Sequence, residues 1–486
     1  MQFGTRMGIQ NFTSPFAFKL YVTTHQGATL LTSQKGTHSM KRVFAFITAL
    51  TICVIPAAAI EALPSEQYRG LAEYWAPTIY QDVNETYLTR ADIPTRFDYD
   101  GDWRGDNNWE NLENYPQNPS AYFSVRETLT HYFIEYDFYY PRDDGPINLE
   151  KHENDLEGCI LAIQKDGTEY GCLQLMETQA HNHWYQYSND PNITSGSDNI
   201  DGGILLDGYR PSLYISANGI GTDAGHGVKA YDGSAANGGD GIVFRFTEGA
   251  SVMPTNTAGS YVQVYDYALI SMDELWNRRY DTGGAGHTYN DWGHFHGDTY
   301  TDSSCTLPWI KDDPDDGPLY EGIYWSDPAF FIDTHLNGLG DFSHTYVFNP
   351  YYTHKITAID ITSCANKDPF DDESDIYLKI SVDGLTYINQ NHWKDNQAPK
   401  NVTKSIFWGK EQAEFGDEYS EPFNTIYFAR QDNSEVVIEV LDKDGTSGDD
   451  TMGVLTASPA PGTTVTWTDQ VTSTGEARVS AVIEVQ

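Results

Sequence analysis

Acidic residues form two clusters near the C-terminal end of the chain, and their spacing is typical of oxygen ligands for a hard cation. One cluster runs from Asp368 to Asp375 and the other from Asp442 to Asp450. Strand-like apolar runs lie beside both clusters, so both are predicted on loops at one end of a β-sandwich. Ca²⁺ takes several carboxylate oxygens, and separate loops can supply them once the sandwich has folded. The chemistry expected here is calcium binding.

The residues around these acids resemble the C2 domain, a calcium-dependent phospholipid-binding β-sandwich. The stretch from Ser374 to Gly384 stands where the family has its Ser-Asp-Pro-Tyr motif. The spacing in the first cluster departs slightly from the family, so Asp371 or Asp372 could take the place of the first ligand. The alternative is a set of solvated acids on a very acidic surface. The resemblance implies a calcium site with the ligands Asp368, Asp375, Asp442, Asp444 and Asp450.

The chain as a whole is strongly acidic. Its formal net charge is -41, and 70 acidic residues stand against 29 basic ones. Phosphate groups would be repelled by such a surface, which argues against nucleic acid as a partner. Screening and ion binding in a saline or cation-rich medium relieve this self-repulsion, so the charge indicates a habitat outside the cell.

A signal peptide is predicted at residues 40–59. Residues 40–42 form its basic region, residues 43–55 its apolar core and residues 57–59 a small-residue cleavage site. The mature, secreted chain is expected to begin near Ile60, with residues 1–39 as an upstream extension. A membrane anchor is the alternative, but the apolar run is shorter than the roughly 20 residues that span a bilayer. No transmembrane segment is expected in the mature chain.

The cysteines fit an oxidising compartment. Cys53 lies in the predicted signal peptide, which leaves Cys159, Cys172, Cys305 and Cys364 in the mature chain. An even number allows two disulfides. Cys159 and Cys172 flank a strand that ends in a turn, and they face one another in one register of that turn but not in a tighter one. By elimination, Cys305 would pair with Cys364.

The middle of the chain is rich in Tyr and Trp and is interrupted by Gly, Asp and Asn about every ten residues. This pattern predicts short strands joined by long loops. We therefore expect an all-β protein, with a large, jelly-roll-like β-sandwich domain at residues 60–350 and a smaller C2-like sandwich at residues 351–486. The linker between them is predicted near residues 349–354.

A second group of cation ligands is predicted in the large domain. Asp155 and Glu157 are two residues apart and would point to the same face of a strand. Asp144 and His152 lie in the segment that leads into this strand. An oxygen-rich set with one imidazole favours a divalent cation such as Ca²⁺ or Mg²⁺ over a structural zinc. An ordinary network of paired polar groups is the alternative.

This segment resembles the metal site of the necrosis-and-ethylene-inducing-like toxins, the NPP1 family, whose motif includes His-x-x-Asp-Trp-Glu. The four residues Asp144, His152, Asp155 and Glu157 fall on the family's ligand positions, whereas Asn154 and Leu156 replace a His and the Trp. A vacuolar-sorting-associated family shares the same segment and a later histidine loop, which residues 225–227 resemble. The resemblance implies a secreted β-sandwich that binds a divalent cation and, in the toxin branch, engages sphingolipid headgroups and damages membranes.

Other histidines allow a different chemistry. Two histidines one residue apart on a strand share a side and can bind a catalytic metal together with a carboxylate such as Asp298. No His-Glu-x-x-His or Gly-x-Ser-x-Gly motif is present. Hydrogen-bonded structural roles are the alternative, and aromatic loops could also hold a sugar. The histidines concerned are His181, His183, His226, His287, His294 and His296.

Two functions are therefore expected from the sequence. The first is a secreted, calcium-dependent protein that binds lipid or glycolipid headgroups and acts as a cytolysin-like factor. The alternative is a secreted metal-dependent hydrolase of glycans or esters with a C2-like accessory module. Enzymatic activity, catalytic residues and oligomeric state stay open.

Overall fold

β-Strands make up 47% of the computed structural model and helices 13%, so the all-β prediction is confirmed. Residues 61–486 form one compact unit. The predicted upstream extension and signal peptide lie outside the described residues. The structure describes residues 63–84, 89–144, 151–181, 183–196, 198–217, 225–281, 288–300, 305–311, 322–365, 376–388, 404–405, 425–431, 434–442 and 450–486.

The strands and helices of the described residues are numbered along the chain. The strands up to residue 348 are β1 (Thr78–Asp82), β2 (Ser120–Thr128), β3 (His131–Asp144), β4 (Lys151–Gln164), β5 (Cys172–Ala180), β6 (His183–Tyr187), β7 (Thr194–Ser195), β8 (Ile200–Gly202), β9 (Leu206–Asp207), β10 (Arg210–Ile215), β11 (Val228–Ala230), β12 (Asp240–Phe246), β13 (Gly259–Ser271), β14 (Tyr289–Asp291), β15 (His294–Phe295), β16 (Leu336–Asn337) and β17 (Tyr346–Phe348). The later strands are β18 (His354–Cys364), β19 (Ile376–Val382), β20 (Leu385–Ile388), β21 (Lys404–Ser405), β22 (Thr425–Phe428), β23 (Val436–Asp442), β24 (Asp450–Ala457), β25 (Thr464–Val471) and β26 (Ala477–Val485). The α-helices are α1 (Arg69–Trp75), α2 (Asn108–Asn111), α3 (Asp273–Trp276), α4 (Ile323–Ser326) and α5 (Pro328–His335), and 3₁₀ turns occur at Pro64–Tyr68, Thr89–Asp92, Asn237–Gly239 and Pro308–Ile310.

A single mixed sheet dominates the region up to residue 348. Its strands follow the order β11-β10-β1-β12-β13-β2-β3-β4-β5-β6-β8, with β9 and β17 attached at the side. The sheet curls, because β11 at one end packs against β4 and β5 near the other. The two halves enclose one apolar core, to which β1 contributes Ile79 and β4 contributes Leu161. The sandwich predicted for this region is thus one hydrogen-bonded sheet that folds back on itself.

The long central hairpin is buried on both faces, which explains its nearly continuous apolar sequence. Leu161 and Ile163 on β4 belong to the core inside the curled sheet. Ile160 and Ala162, on the opposite face, belong to a second core that also contains the apolar residues of the C-terminal strands. Because neither face meets water, alternation of polar and apolar residues is lost along much of this hairpin.

Two antiparallel sheets form the C-terminal region. One contains β21, β18, β26, β25 and β22, and the other runs β20-β19-β23-β24. Buried residues of both sheets, such as Ile483 of β26 and Ile438 of β23, share one apolar core. The burial of β26 alternates strictly along the strand, as expected of a strand with one solvated face.

The segment predicted as a linker is packed against the large sheet. Tyr351 is fully buried, and its hydroxyl bonds to Ser65 and Asp273. Its ring lies against the ring of Trp325, with the centroids 4.5 Å apart. The C-terminal strands therefore begin from an anchored segment, and the domain boundary at residue 350 stays a prediction.

The predicted disulfides are not formed. Cys159, Cys172 and Cys305 carry free thiols. In the register of β4 with β5, Cys159 lies opposite Thr178 and Cys172 lies opposite Gln164. The two cysteines are therefore separated along the sheet by several residues, which is too far for a disulfide. The predicted pairing of Cys305 with Cys364 is wrong because Cys305 is free.

No helix in the described part of the chain combines the length and the apolar character that crossing a membrane requires.

Candidate functional site

The four predicted cation ligands of the large sheet lie toward the end of the β3–β4 hairpin where β3 ends and β4 begins. The register places Asp144 opposite Lys151 and Tyr140 opposite Asp155. The side chain of Asp144 forms an ion pair with Lys151, with 2.9 Å between Oδ1 and Nζ. The hairpin thus brings the ligand positions to one end of the sheet, and it also brings a lysine there.

Asp155 is bound to a histidine from a distant loop. His226 Nδ1 donates to Asp155 Oδ2 at 2.8 Å, and its Nε2 lies 3.3 Å from Asp92 Oδ1. The imidazole is fully buried and stacks on the ring of Tyr140, with 3.7 Å between the centroids. This histidine is held on three sides by groups from three separate segments.

The electrostatics of this histidine follow from its two carboxylate neighbours. Burial lowers the pKa of His226, but the hydrogen bonds to Asp155 and Asp92 outweigh it and raise the pKa to about 10. Burial likewise raises the pKa of Asp155, yet the hydrogen bond from His226 prevails and the pKa falls to about 2. His226 and Asp155 are therefore both charged at neutral pH, and the imidazolium lies between the carboxyl groups of Asp155 and Asp92.

Glu157 lies beside a buried lysine. Lys311 Nζ is 3.5 Å from Glu157 Oε2, and it donates to Gln179 Oε1 at 2.6 Å and to the carbonyl oxygen of Leu156. Burial raises the pKa of Glu157 to about 8, even though the charge of Lys311 acts in the opposite direction. Lys311 thereby ties the start of β4 to the end of β5.

His152 makes its contacts within the hairpin. Its Nδ1 donates to the carbonyl oxygen of Asn154 at 3.0 Å, and its Nε2 lies 3.5 Å from Asp143 Oδ2. Asn154, which replaces a histidine of the toxin motif, has a φ of 61°, and asparagine tolerates this conformation better than most residues. Its buried amide bonds to the Tyr139 hydroxyl at 2.6 Å and to the carbonyl oxygen of Gly105 at 3.0 Å.

Each predicted ligand of the large sheet therefore has a partner from the protein itself. Across the residues that the structure describes, no group of three or more His, Cys, Asp or Glu side chains is arranged to hold a metal ion. As arranged, the donor set does not fit a shared divalent cation. Metal binding by Asp144, His152, Asp155 and Glu157 stays a prediction.

The remaining histidines do not gather around a carboxylate in the described residues. His181 and His183 are exposed, and His181 lies in a left-handed turn with a φ of 61°. His296 Nε2 lies 3.3 Å from Asp106. His294 pairs with Asp291 in a short hairpin, and His287 is outside the described residues.

In the C-terminal region, two predicted calcium ligands face each other directly. Asp442 ends β23 and Asp450 begins β24, and the two residues are paired in the register of these strands. Asp442 is also paired with Ile376 of β19, the residue that follows Asp375 in the chain. Asp442 is fully buried and Asp450 is exposed. Asp368, Asp375 and Asp444 lie outside the described residues.

A bulge next to this pair depends on a glycine. The register of β23 with β24 shifts beside Val440, which pairs with Gly453. Gly453 has a φ of +102°, and a Cβ there would lie 2.8 Å from the backbone nitrogen of Thr474 and 2.9 Å from Oγ1 of Thr472. Only glycine fits this position without displacing the following hairpin.

We expect Gly453→Ala to lower the free energy of unfolding by about 2 kcal/mol or more, because strain and crowding add. Gly462→Ala is the matched control: its φ is +72° but no atom lies within 4 Å of the added methyl group. It should cost about 1 kcal/mol. Urea unfolding of the two variants measures the difference, and equal losses would show that the bulge is not tightly packed.

Sequence reasoning missed three residues of the large-sheet network. Asp143 stands next to a predicted ligand, so the acidic pair was a visible signal. Asp92 and Lys311 lie far from the motif in the chain, and no spacing rule connects them to it. Only the curling of the sheet and the return of residues 305–311 bring them there.

No protein-family model matches the chain, and no curated protein matches it. Solved structures with similarity to it include a C2 domain, with 16% identity and a TM-score of 0.20, covering 28% of this chain and 98% of the other. Another is described as a toxin fold for microbial attack and plant defence, with 12% identity and a TM-score of 0.27, covering 51% of this chain and 86% of the other. A third is necrosis and ethylene inducing protein 2 from the causal agent of cocoa's witches' broom disease, with 19% identity and a TM-score of 0.16, covering 23% and 45%. At these TM-scores the similarity does not establish a common fold.

Proposed function

We propose that the chain is a secreted protein that binds lipid or glycolipid surfaces in a calcium-dependent way. In this proposal the strand ends of the C-terminal sheets hold the calcium through Asp442, Asp444 and Asp450, together with Asp368 and Asp375 from the first acidic cluster. The bound cation then bridges the protein to anionic headgroups. Membrane damage of the cytolysin type would follow from such docking.

The direct pairing of Asp442 with Asp450 is the observation that carries this proposal. Cβ atoms of directly opposed residues lie about 4.5–5.5 Å apart, and like charges in such a pair repel. Several carboxylates that converge at one strand end are the ligands that Ca²⁺ prefers. A bound calcium ion would turn this repulsion into coordination.

The net charge supports a role for a bridging cation. A chain with a formal net charge of -41 is repelled by an anionic membrane surface. Direct docking on acidic lipids is therefore unfavourable unless a divalent cation lies between the two surfaces. This reasoning predicts that removal of calcium releases the protein from the membrane.

Asp450→Asn is the variant that tests the proposal, because Asp450 is exposed and its replacement leaves the core intact. We expect the apparent calcium affinity to fall about 10-fold or more, since even outer-shell partners of a metal ligand are worth 10–100-fold. Glu435→Gln is the matched control: it removes one exposed charge beside the opposite end of β23. Binding is measured by co-sedimentation with phosphatidylserine and glycosphingolipid vesicles across calcium concentrations.

Three results are informative. Calcium-dependent sedimentation of the wild type and the Glu435→Gln variant, with weaker sedimentation of Asp450→Asn, supports the proposal. Dye leakage from the same vesicles supports its cytolytic part, and binding without leakage removes that part. Sedimentation that persists in the presence of a chelator, or no sedimentation at millimolar calcium, overturns calcium-dependent docking. Either result favours a search for hydrolase activity.

A further inference from the structure

We propose that the large sheet uses its own side chains, the ammonium groups of Lys311 and Lys151 and the hydrogen-bonding imidazole of His226, in the place where the sequence motif predicts a divalent metal ion. The Asp144-His152-Asp155-Glu157 constellation is then a metal-free ion-pair network that closes the end of the β3–β4 hairpin. This inference concerns the large sheet and does not depend on calcium binding by the C-terminal sheets.

Lys311 provides the strongest support. Its side chain is only 2% exposed, and a buried ammonium group is stable only when it is paired and hydrogen-bonded. The contacts with Glu157, Gln179 and the carbonyl oxygen of Leu156 supply three acceptors for its three N–H donors. A cation that coordinated Glu157 would compete with Lys311 for the same carboxylate.

His226 binds the second predicted ligand, Asp155, in the same way. Both of its ring nitrogens face carboxylate oxygens, those of Asp155 and Asp92. Metal coordination by Asp155 Oδ2 would break the 2.8 Å hydrogen bond to His226 Nδ1. The ring has little freedom to move aside, because it is fully buried and stacked in parallel on Tyr140.

The negative charge of Asp144, at the end of β3, has two cationic side chains beside it. Lys151, its partner across the two strands, lies 2.9 Å away, and Arg142 Nη1 lies 3.8 Å from its other oxygen. A divalent cation bound to the three carboxylates would have to displace two lysines and one histidine. Lys151 and Lys311 together bring the same formal charge as one divalent ion.

Counting bound cations tests this inference. Equilibrium dialysis with ⁴⁵Ca²⁺, and separately with Mn²⁺, is carried out on the full-length wild type, on Glu157→Gln and on Asp450→Asn. Glutamine has the shape of glutamate and keeps an acceptor for Lys311, so this variant should bind as many cations as the wild type. Loss of one bound cation in Glu157→Gln would overturn the inference. Loss in Asp450→Asn alone reports only on the C-terminal calcium site, so the two proposals fail separately.

Lys311→Met provides the converse test. Without the ammonium group, a divalent cation can take its place beside Glu157 and favour the ionised form of the carboxyl group, so Ca²⁺ or Mn²⁺ should raise the unfolding temperature of this variant by several degrees relative to the variant in a chelator. Lys165→Met is the matched control, since Lys165 also pairs with a glutamate, Glu127 at 2.6 Å, but lies at the far end of the hairpin. Its unfolding temperature should show no greater response to metal than that of the wild type. If Lys311→Met does not fold, the dialysis counts decide alone.

Discussion

Arg126→Leu should lower the free energy of unfolding by about 3–5 kcal/mol, because it leaves the carboxylate of Glu135 buried without its counter-ion. Arg126 and Glu135 have side chains that are 0% and 1% exposed, and their atoms Nη1 and Oε2 are 2.9 Å apart. The guanidinium also stacks over Trp325 at 4.1 Å and over Tyr351 at 4.4 Å. Urea unfolding followed by tryptophan fluorescence measures the loss.

The double variant Arg126→Leu with Glu135→Leu separates the two parts of this effect. Removal of both charges abolishes the unpaired carboxylate, so the double variant should be more stable than Arg126→Leu alone. Arg245→Leu serves as the matched control, because Arg245 also pairs with an acid, Asp207 at 2.8 Å, but is 48% exposed. It should cost less than about 1 kcal/mol. A loss below that value in Arg126→Leu would show that the buried pair contributes little to stability.

The loss of Arg126 would also affect residues outside β2. Trp325 belongs to α4 and Tyr351 to the segment that leads into the C-terminal strands. Arg126, which is paired with Glu135 inside the large sheet, thus joins that sheet to the start of the terminal region through the ring face of Tyr351. If this contact is lost, we expect the two regions to unfold less cooperatively, which broadens the urea transition.

Acid should destabilise the protein through His131. Burial lowers the pKa of this fully buried histidine from 6.5 to about 4, despite a hydrogen bond to Gln174. Between pH 4 and pH 6.5 the unfolded state binds more protons than the folded state, so stability rises with pH. The contribution is complete above pH 6.5 and is lost as the pH falls through this window. It amounts to about 3 kcal/mol, since one pKa unit corresponds to about 1.4 kcal/mol.

The hydrogen bonds of His131 fix the tautomer of its neutral imidazole. Nε2 donates to Gln174 Oε1 at 2.8 Å, because the amide nitrogen of Gln174 donates to the carbonyl oxygen of Leu339. Nδ1 then accepts from the Thr130 hydroxyl at 2.8 Å, and that oxygen accepts in turn from the backbone nitrogen of Ser343. A second proton on the imidazole would disrupt this arrangement.

His131→Asn is the variant to compare with the wild type. Urea unfolding is measured for both proteins at pH 7.5 and at pH 4. The wild type should lose about 3 kcal/mol more than the variant over this interval, because only the wild type carries the buried imidazole. Parallel losses in the two proteins would assign acid sensitivity to other groups.

Local sequence patterns predicted part of the fold correctly. The strand-like apolar run predicted beside the second acidic cluster forms β23. Asp442 and Asp450, which were predicted on a loop, are the last residue of β23 and the first residue of β24. The cysteine pairing failed for a specific reason: the turn between β4 and β5 sets the register, and the sequence left that register open.

The all-β class and the extreme acidity could be predicted from composition and from patterns a few residues long. Which side chain each acid of the large sheet contacts depends on the folded chain. The partners Asp92, His226 and Lys311 come from separate segments, and they reach Asp155 and Glu157 because one sheet curls until its distant strands touch. Contacts between residues so far apart in the chain have no characteristic sequence spacing. In the folded protein they are specific because buried charged groups need a partner.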